Sequence, residues 1–66
     1  MKTVFINGQA QQTLSQNLQQ LLTEMQFDIA AIATAIDGNF VPKSQYLSTE
    51  IVHGQKIEVL APMQGG

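Results

Sequence analysis

The apolar positions change period along this chain, and each change marks an element. In "TVFINGQA", Val4 and Ile6 alternate with Thr3 and Phe5, and β-branched residues dominate. A period of two puts Val4 and Ile6 on one face of a strand and Phe5 on the other. Asn7-Gly8 follows, and both residues tolerate the positive φ of a tight hairpin turn. The return strand is predicted over Gln9 to Leu14, and its glutamine-rich sequence suits a sheet edge. In "NLQQLLTEMQF" the pattern becomes helical, with Leu18, Leu21, Leu22 and Met25 at i, i+3, i+4 and i+7. Asn17 is a good N-cap, and Gln20 has the capping-box place three residues on. Gln19, Gln20, Thr23 and Gln26 form the solvated face.

"IAAIATAID" has the propensity to extend a helix, but Asp37-Gly38-Asn39 supplies a turn into Phe40-Val41. Ala33 to Ile36 is therefore read as a strand, and Pro42, which has no N–H, ends the short strand after it. "KSQYLSTEIVHGQ" is a long irregular connection with a turn at Gly54, from which Tyr46 and either Leu47 or Ile51 plug the core. "KIEVLA" is the final strand, with Ile57 and Val59 inward and Lys56, Glu58 and Leu60 outward. The predicted core is Val4, Ile6, Leu18, Leu21, Leu22, Ile57 and Val59. The first and last strands are the longest and most β-branched. If both are central and parallel, the helix belongs to the crossover that joins them and covers one face of a mixed sheet. That arrangement is an α+β fold of the β-grasp type.

Composition narrows what such a domain can do. At 66 residues there is room for one small core, and a domain of this size buries only about 60% of its unfolded surface. Cysteine is absent, which excludes disulfides and cysteine-based zinc sites. The net charge is −2, and the only basic residues, Lys2, Lys43 and Lys56, are scattered. There is no basic stripe to neutralise phosphates, so nucleic acid is not expected as a partner. No apolar run is long enough for a bilayer and no signal peptide opens the sequence, so a cytoplasmic protein is expected.

A catalytic kit is not visible. An enzyme needs a nucleophile, a base or a metal held together. His53 is the sole histidine and precedes Gly54, which reads as a surface turn. Glu24, Asp28, Asp37, Glu50 and Glu58 show no metal-ligand spacing, and Ser15, Ser44 and Ser48 lack an elbow motif. The sequence closes on "APMQGG". Pro62 stops the strand ladder and biases Ala61 toward extended geometry. Residues 1–61 are thus read as the domain and 62–66 as a tail of Pro62, Met63, Gln64, Gly65 and Gly66. Such a tail reaches at most roughly 16–18 Å. Without Cβ atoms, Gly65 and Gly66 can thread a narrow channel in a partner. Met63 either anchors the tail there or folds back on the body.

Several short motifs, in order along nearly the whole chain, resemble the ThiS family of sulfur carrier proteins in thiamine biosynthesis, within the ubiquitin-like β-grasp superfamily. They are Asn7-Gly8 after the first strand, Asn17, Leu18, Leu21 and Leu22 at the helix start, Val41-Pro42-Lys43 with Tyr46 soon after, Gly54 before the last strand, and Gly65-Gly66. Asn17 replaces the usual threonine and Gln55 the usual aspartate, both at cap or turn positions. The resemblance implies a co-substrate, not an enzyme. A ThiF-type adenylating enzyme would use ATP and Mg to convert the Gly66 carboxylate to an acyl-adenylate. A sulfur donor such as a cysteine desulfurase would then supply sulfur, leaving a thiocarboxylate for a ThiG-type thiazole synthase. The chain itself would bind no cofactor. With no thiol in the sequence, the C-terminus is the only place left to carry sulfur.

Pro62 is less usual in that family and is similar to the MoaD-type small subunit of molybdopterin synthase, whose members are longer. A ubiquitin-like modifier ending in an isopeptide bond, and a β-grasp interaction module without terminal chemistry, remain as further readings. For partner recognition, Phe5 and Leu60 are the outward apolar residues of the two central strands and together would form a patch. A one-residue slip of register would instead make Phe5 part of the core.

Overall fold

In the computed structural model, which describes residues 1–61, the N-terminal alternation is realised as β1 (Lys2–Ile6) and β2 (Gln9–Thr13). Asn7 and Gly8 join them with φ of 51° and 84°, two successive positive values that match the right-handed twist of a hairpin. Val4 pairs with Gln11 and Phe5 with Ala10. Val4 and Ile6 are buried while Phe5 is 38% exposed, so the slipped register does not occur. β2 stops one residue short of the predicted end, and Leu14 is exposed. The cause is Thr13. Its buried hydroxyl donates to the Glu24 carboxylate (2.7 Å) and accepts the Ser15 N–H (3.0 Å), which turns the chain out of the ladder.

Helix α1 (Leu18–Glu24) is shorter than its apolar stripe. Leu18, Leu21 and Leu22 are fully buried, and Met25, beyond the last helical residue, packs partly against the same core. Three free N–H groups of the first turn find acceptors outside the helix ladder. Leu18 N–H donates to Thr49 O (2.9 Å), Gln19 N–H to Tyr46 O (3.2 Å) and Gln20 N–H to the Asn17 side chain (2.8 Å). The capping box is displaced by one residue: Gln20 Oε1 accepts from Gln16 N–H (2.8 Å) rather than from Asn17. The bridge between Asn17 and Glu50 is made by the flanking groups, Ile51 N–H on Gln16 O and Leu18 N–H on Thr49 O.

A single 3₁₀ turn, Ile29–Ala31, leads into β3 (Ala33–Ile36). Asp37 and Gly38 repeat the first hairpin's turn, with φ of 50° and 84°, and Asn39 already belongs to β4 (Asn39–Val41). Pro42 then precedes a short 3₁₀ turn at Lys43–Gln45. From the irregular connection it is Tyr46 and Ile51 that enter the core, while Leu47 is exposed. Tyr46 is fully buried, and its hydroxyl donates to Thr34 Oγ1 (2.9 Å), itself buried. Among the described residues no buried side-chain polar atom lacks a partner, which keeps the cost of that polar pair small.

β5 (Lys56–Leu60) completes a sheet of order β2-β1-β5-β3-β4. It runs parallel to β1 and antiparallel to β3. The helix side of the sheet carries Val4, Ile6, Thr34, Ile36, Val41, Ile57 and Val59, all buried. This is a β-grasp fold. The two hairpins overlap little along β5: β1 pairs with Lys56 and Ile57, whereas β3 pairs from Ile57 to Leu60. β5 is therefore the splice between two hairpins, and its far end leads out toward residue 62. The predicted segment 62–66 lies outside the described residues.

Candidate functional site

The end of β5 is where the predicted reactive segment begins. Its geometry follows from how that strand is held. β1 reaches only as far as Ile57, and Asn7 N–H makes the last main-chain bond from this side, to Ile57 O (2.9 Å). The chain then turns away into the hairpin. The Asn7 side chain takes over: its Oδ1 accepts from Val59 N–H (2.8 Å) and its Nδ2 donates to Val59 O (3.2 Å). A carboxamide has the donor and acceptor of a peptide group, so it can replace one rung of a ladder. On the opposite flank Val59 faces Thr34, and Leu60 faces Ala33.

The start of β5 is held from the other hairpin by one main-chain and one side-chain bond. Asp37 N–H donates to Lys56 O (2.7 Å), and Asp37 Oδ1 accepts from Lys56 N–H (3.0 Å). Both turns thus use a polar residue at their first position, where positive φ is tolerated best by Asn and Asp, to extend a ladder that the strands leave short.

Phe5 and Leu60 both stand on the face away from the helix, but the structure does not bring them together. Phe5 is level with Lys56, four residues before Leu60, which is about 13 Å along a strand. Glu58 stands between them on β5, exposed. Leu60 has a different apolar neighbour. Ala33 lies opposite Leu60 and Ala35 opposite Phe40, so β3 is flanked by two large exposed side chains, Leu60 at 73% and Phe40 at 70% exposure. With Ala33, Ala35 and Glu58 they line a shallow hollow of about 160 Å³. The two small alanines between the large residues create that relief. Sequence reasoning missed Phe40 because its strand was recognised but its neighbour was not. The alternation with inward Val41 does mark Phe40 as outward.

Pro62, Met63, Gln64, Gly65 and Gly66 lie outside the described residues. His53 sits on the surface, where its Nδ1 accepts from Thr3 N–H (3.1 Å). Among the described residues no three His, Asp or Glu side chains gather in a way that could hold a metal ion, and no helix is long and apolar enough to cross a membrane.

A mixed five-stranded sheet crossed by one helix, with its central final strand running out to the C-terminal residues, defines a β-grasp protein of the ubiquitin-like kind. Within that class the chain belongs to the ThiS family, whose model matches residues 4–66. The fold is similar to the crystal structure of the thiamine biosynthesis protein ThiS from Geobacter metallireducens. There the TM-score is 0.82 at 19% identity, over 97% of this chain and 99% of that one. It is equally similar to the NMR solution structure of a thiamine biosynthesis protein from the same organism, with a TM-score of 0.81 at 19% identity, over 97% and 87% of the two chains. At that identity the likeness is one of fold. No curated protein matches the chain.

Proposed function

We propose that this protein is a sulfur carrier for thiazole formation in thiamine biosynthesis, with Gly66 as the carrying residue. The observation that carries this reading is the family match, which runs through Gly66. The absence of cysteine supports it, since a carrier without a thiol must hold sulfur on a carboxyl carbon. The same match favours the thiamine pathway over the molybdopterin one.

A carboxylate is a poor electrophile, because it is anionic and oxide is a bad leaving group. A ThiF-type enzyme with Mg-ATP removes that obstacle. A carboxylate oxygen of Gly66 attacks the α-phosphorus, the bond to pyrophosphate breaks, and an acyl-adenylate forms. Sulfur at the level of hydrosulfide, which a donor such as a cysteine desulfurase yields once a thiol reductant has cleaved its persulfide, adds to the carbonyl carbon. The carbon–oxygen bond to AMP breaks, a proton is released, and a thiocarboxylate remains for a ThiG-type thiazole synthase. The chain acts as co-substrate and binds no cofactor of its own. In this reading the protein works in the cytoplasm, residues 1–61 are the docking body, and Pro62 to Gly65 are the segment that enters partner active sites. Leu60 and Phe40, beside the start of that segment, form the docking patch, with Phe5 a separate contact further down the sheet.

Deleting Gly66 moves the carboxylate back by roughly 3.5 Å and leaves the body intact. A displacement of that size is expected to cost at least about a hundredfold in adenylation rate. Intact-mass spectrometry after incubation with ATP, the cognate activating enzyme and a sulfide source should show oxygen-to-sulfur exchange in the parent alone. Conversion of the deletion variant at the parental rate would refute the assignment of Gly66.

A further inference from the structure

We infer that Asn7, 52 residues away from Val59 in sequence, is a positioning residue for the C-terminal carboxylate. This inference rests on the sulfur-carrier reading and deepens it. Val59 is the last residue of β5 whose main chain turns toward β1, and no strand reaches it there. Its N–H and C=O are both taken by the Asn7 carboxamide, at 2.8 and 3.2 Å. Beyond that point the strand is tied on one side only, through the Leu60–Ala33 pair. Asn7 therefore decides whether the root of the C-terminal segment is clamped on two sides or hinged on one. An activating enzyme that has docked the body must still bring the carboxylate in line with a phosphorus atom, and looseness at the root lowers the fraction of aligned encounters.

The fold supplies its own control. Asp37 holds the other end of β5 with two bonds to Lys56, its main-chain N–H donating at 2.7 Å and its Oδ1 accepting at 3.0 Å, from a turn with nearly the same φ values. A role confined to stability predicts a lower Tm from the loss of either clamp and no change in kcat from either. A positioning role predicts a consequence from Asn7 alone, because the Asp37 clamp lies at the end of β5 remote from the carboxylate.

The test compares Asn7→Gly and Asp37→Gly. Both leave a Gly-Gly turn that still accepts positive φ at both positions. Both should lower Tm, Asn7→Gly by more, because it removes two side-chain bonds whereas Asp37→Gly removes one and keeps the main-chain bond to Lys56 O. With the activating enzyme and ATP, Asn7→Gly should lower kcat for adenylation about tenfold with KM unchanged, whereas Asp37→Gly keeps the parental kcat. In the free protein, ¹⁵N relaxation should show added motion at Leu60 and Ala61 for Asn7→Gly and none for Asp37→Gly. Should Asn7→Gly fail to fold, Asn7→Asp retains the acceptor for Val59 N–H, loses the donor to Val59 O, and is read in its place. Equal losses of kcat in both variants, or none in either, would overturn the inference. A parent that is not adenylated at all would refute the sulfur-carrier reading instead. The relaxation arm then decides alone, and parental relaxation at Leu60 and Ala61 in the Asn7 variant would overturn the clamp.

Discussion

Gln26 occupies a backbone position that glycine fills in most helices ending this way. Its φ is 66°, and the bonds around it are those of a Schellman motif, with Phe27 N–H on Leu22 O (3.0 Å) and Gln26 N–H on Thr23 O (3.0 Å). An L-residue with a Cβ pays about 1–2 kcal/mol in the left-handed region, while glycine enters it freely but loses more entropy on folding. The first term is the larger, so Gln26→Gly should stabilise the protein by roughly 0.5–1 kcal/mol. A rise in the urea midpoint with unchanged slope would show it, and a fall would mean that the glutamine side chain makes a compensating contact. The capping residues at the other end of α1 act at the same scale. Asn17 was legible as the cap from its type and place. The shift of Gln20 from Asn17 to Gln16 was not, because both N–H groups precede the helix and no local pattern distinguishes them.

At the scale of elements, α1 is only seven residues long, too short to persist without the sheet beneath it. Its stability comes from Leu18, Leu21 and Leu22, each without exposed surface and part of one core cluster with Val4, Ile6, Ile57 and Val59. Changing Leu21 to Ala removes buried methyl groups and leaves a cavity that neighbouring strands cannot fill, at a cost of about 2–5 kcal/mol. Chemical denaturation measures this directly, and a loss well below 1 kcal/mol would place the helix face elsewhere. The helix, the two hairpins and the last strand were all readable from periodicity and turn chemistry. Their ends were less so. β2 stops at Thr13 because a buried hydroxyl bonds to Glu24 on the helix, a contact between elements that no local pattern displays.

At the scale of the whole molecule, the stagger of the two hairpins along β5 sets what is exposed. β3 runs beside the last residues of β5, so Phe40 comes near Leu60, and β1 runs beside its first residues, so Phe5 does not. Substituting Leu60 or Phe40 by Ser should weaken binding to the activating enzyme about tenfold or more, the value of one large apolar side chain buried in a complex. Tm should stay near the parent, since both side chains are about 70% exposed. Calorimetric titration and a melting curve on each variant test this together. Unchanged affinity in both would remove the hollow from the docking surface.

The sequence by itself determined the elements, the faces of the central strands, most of the core and the family, because each depends on periods of two or 3.6 residues or on short motifs that a single segment contains. Tertiary structure alone decided which outward residues meet, how far each hairpin accompanies β5, and which side chain takes the place of the missing rung at Val59. Those are relations between segments dozens of residues apart. They arise when strands pair at a particular register, and a residue such as Asn7 carries no mark of its distant partner until the pairing brings Val59 within 3 Å of its carboxamide oxygen.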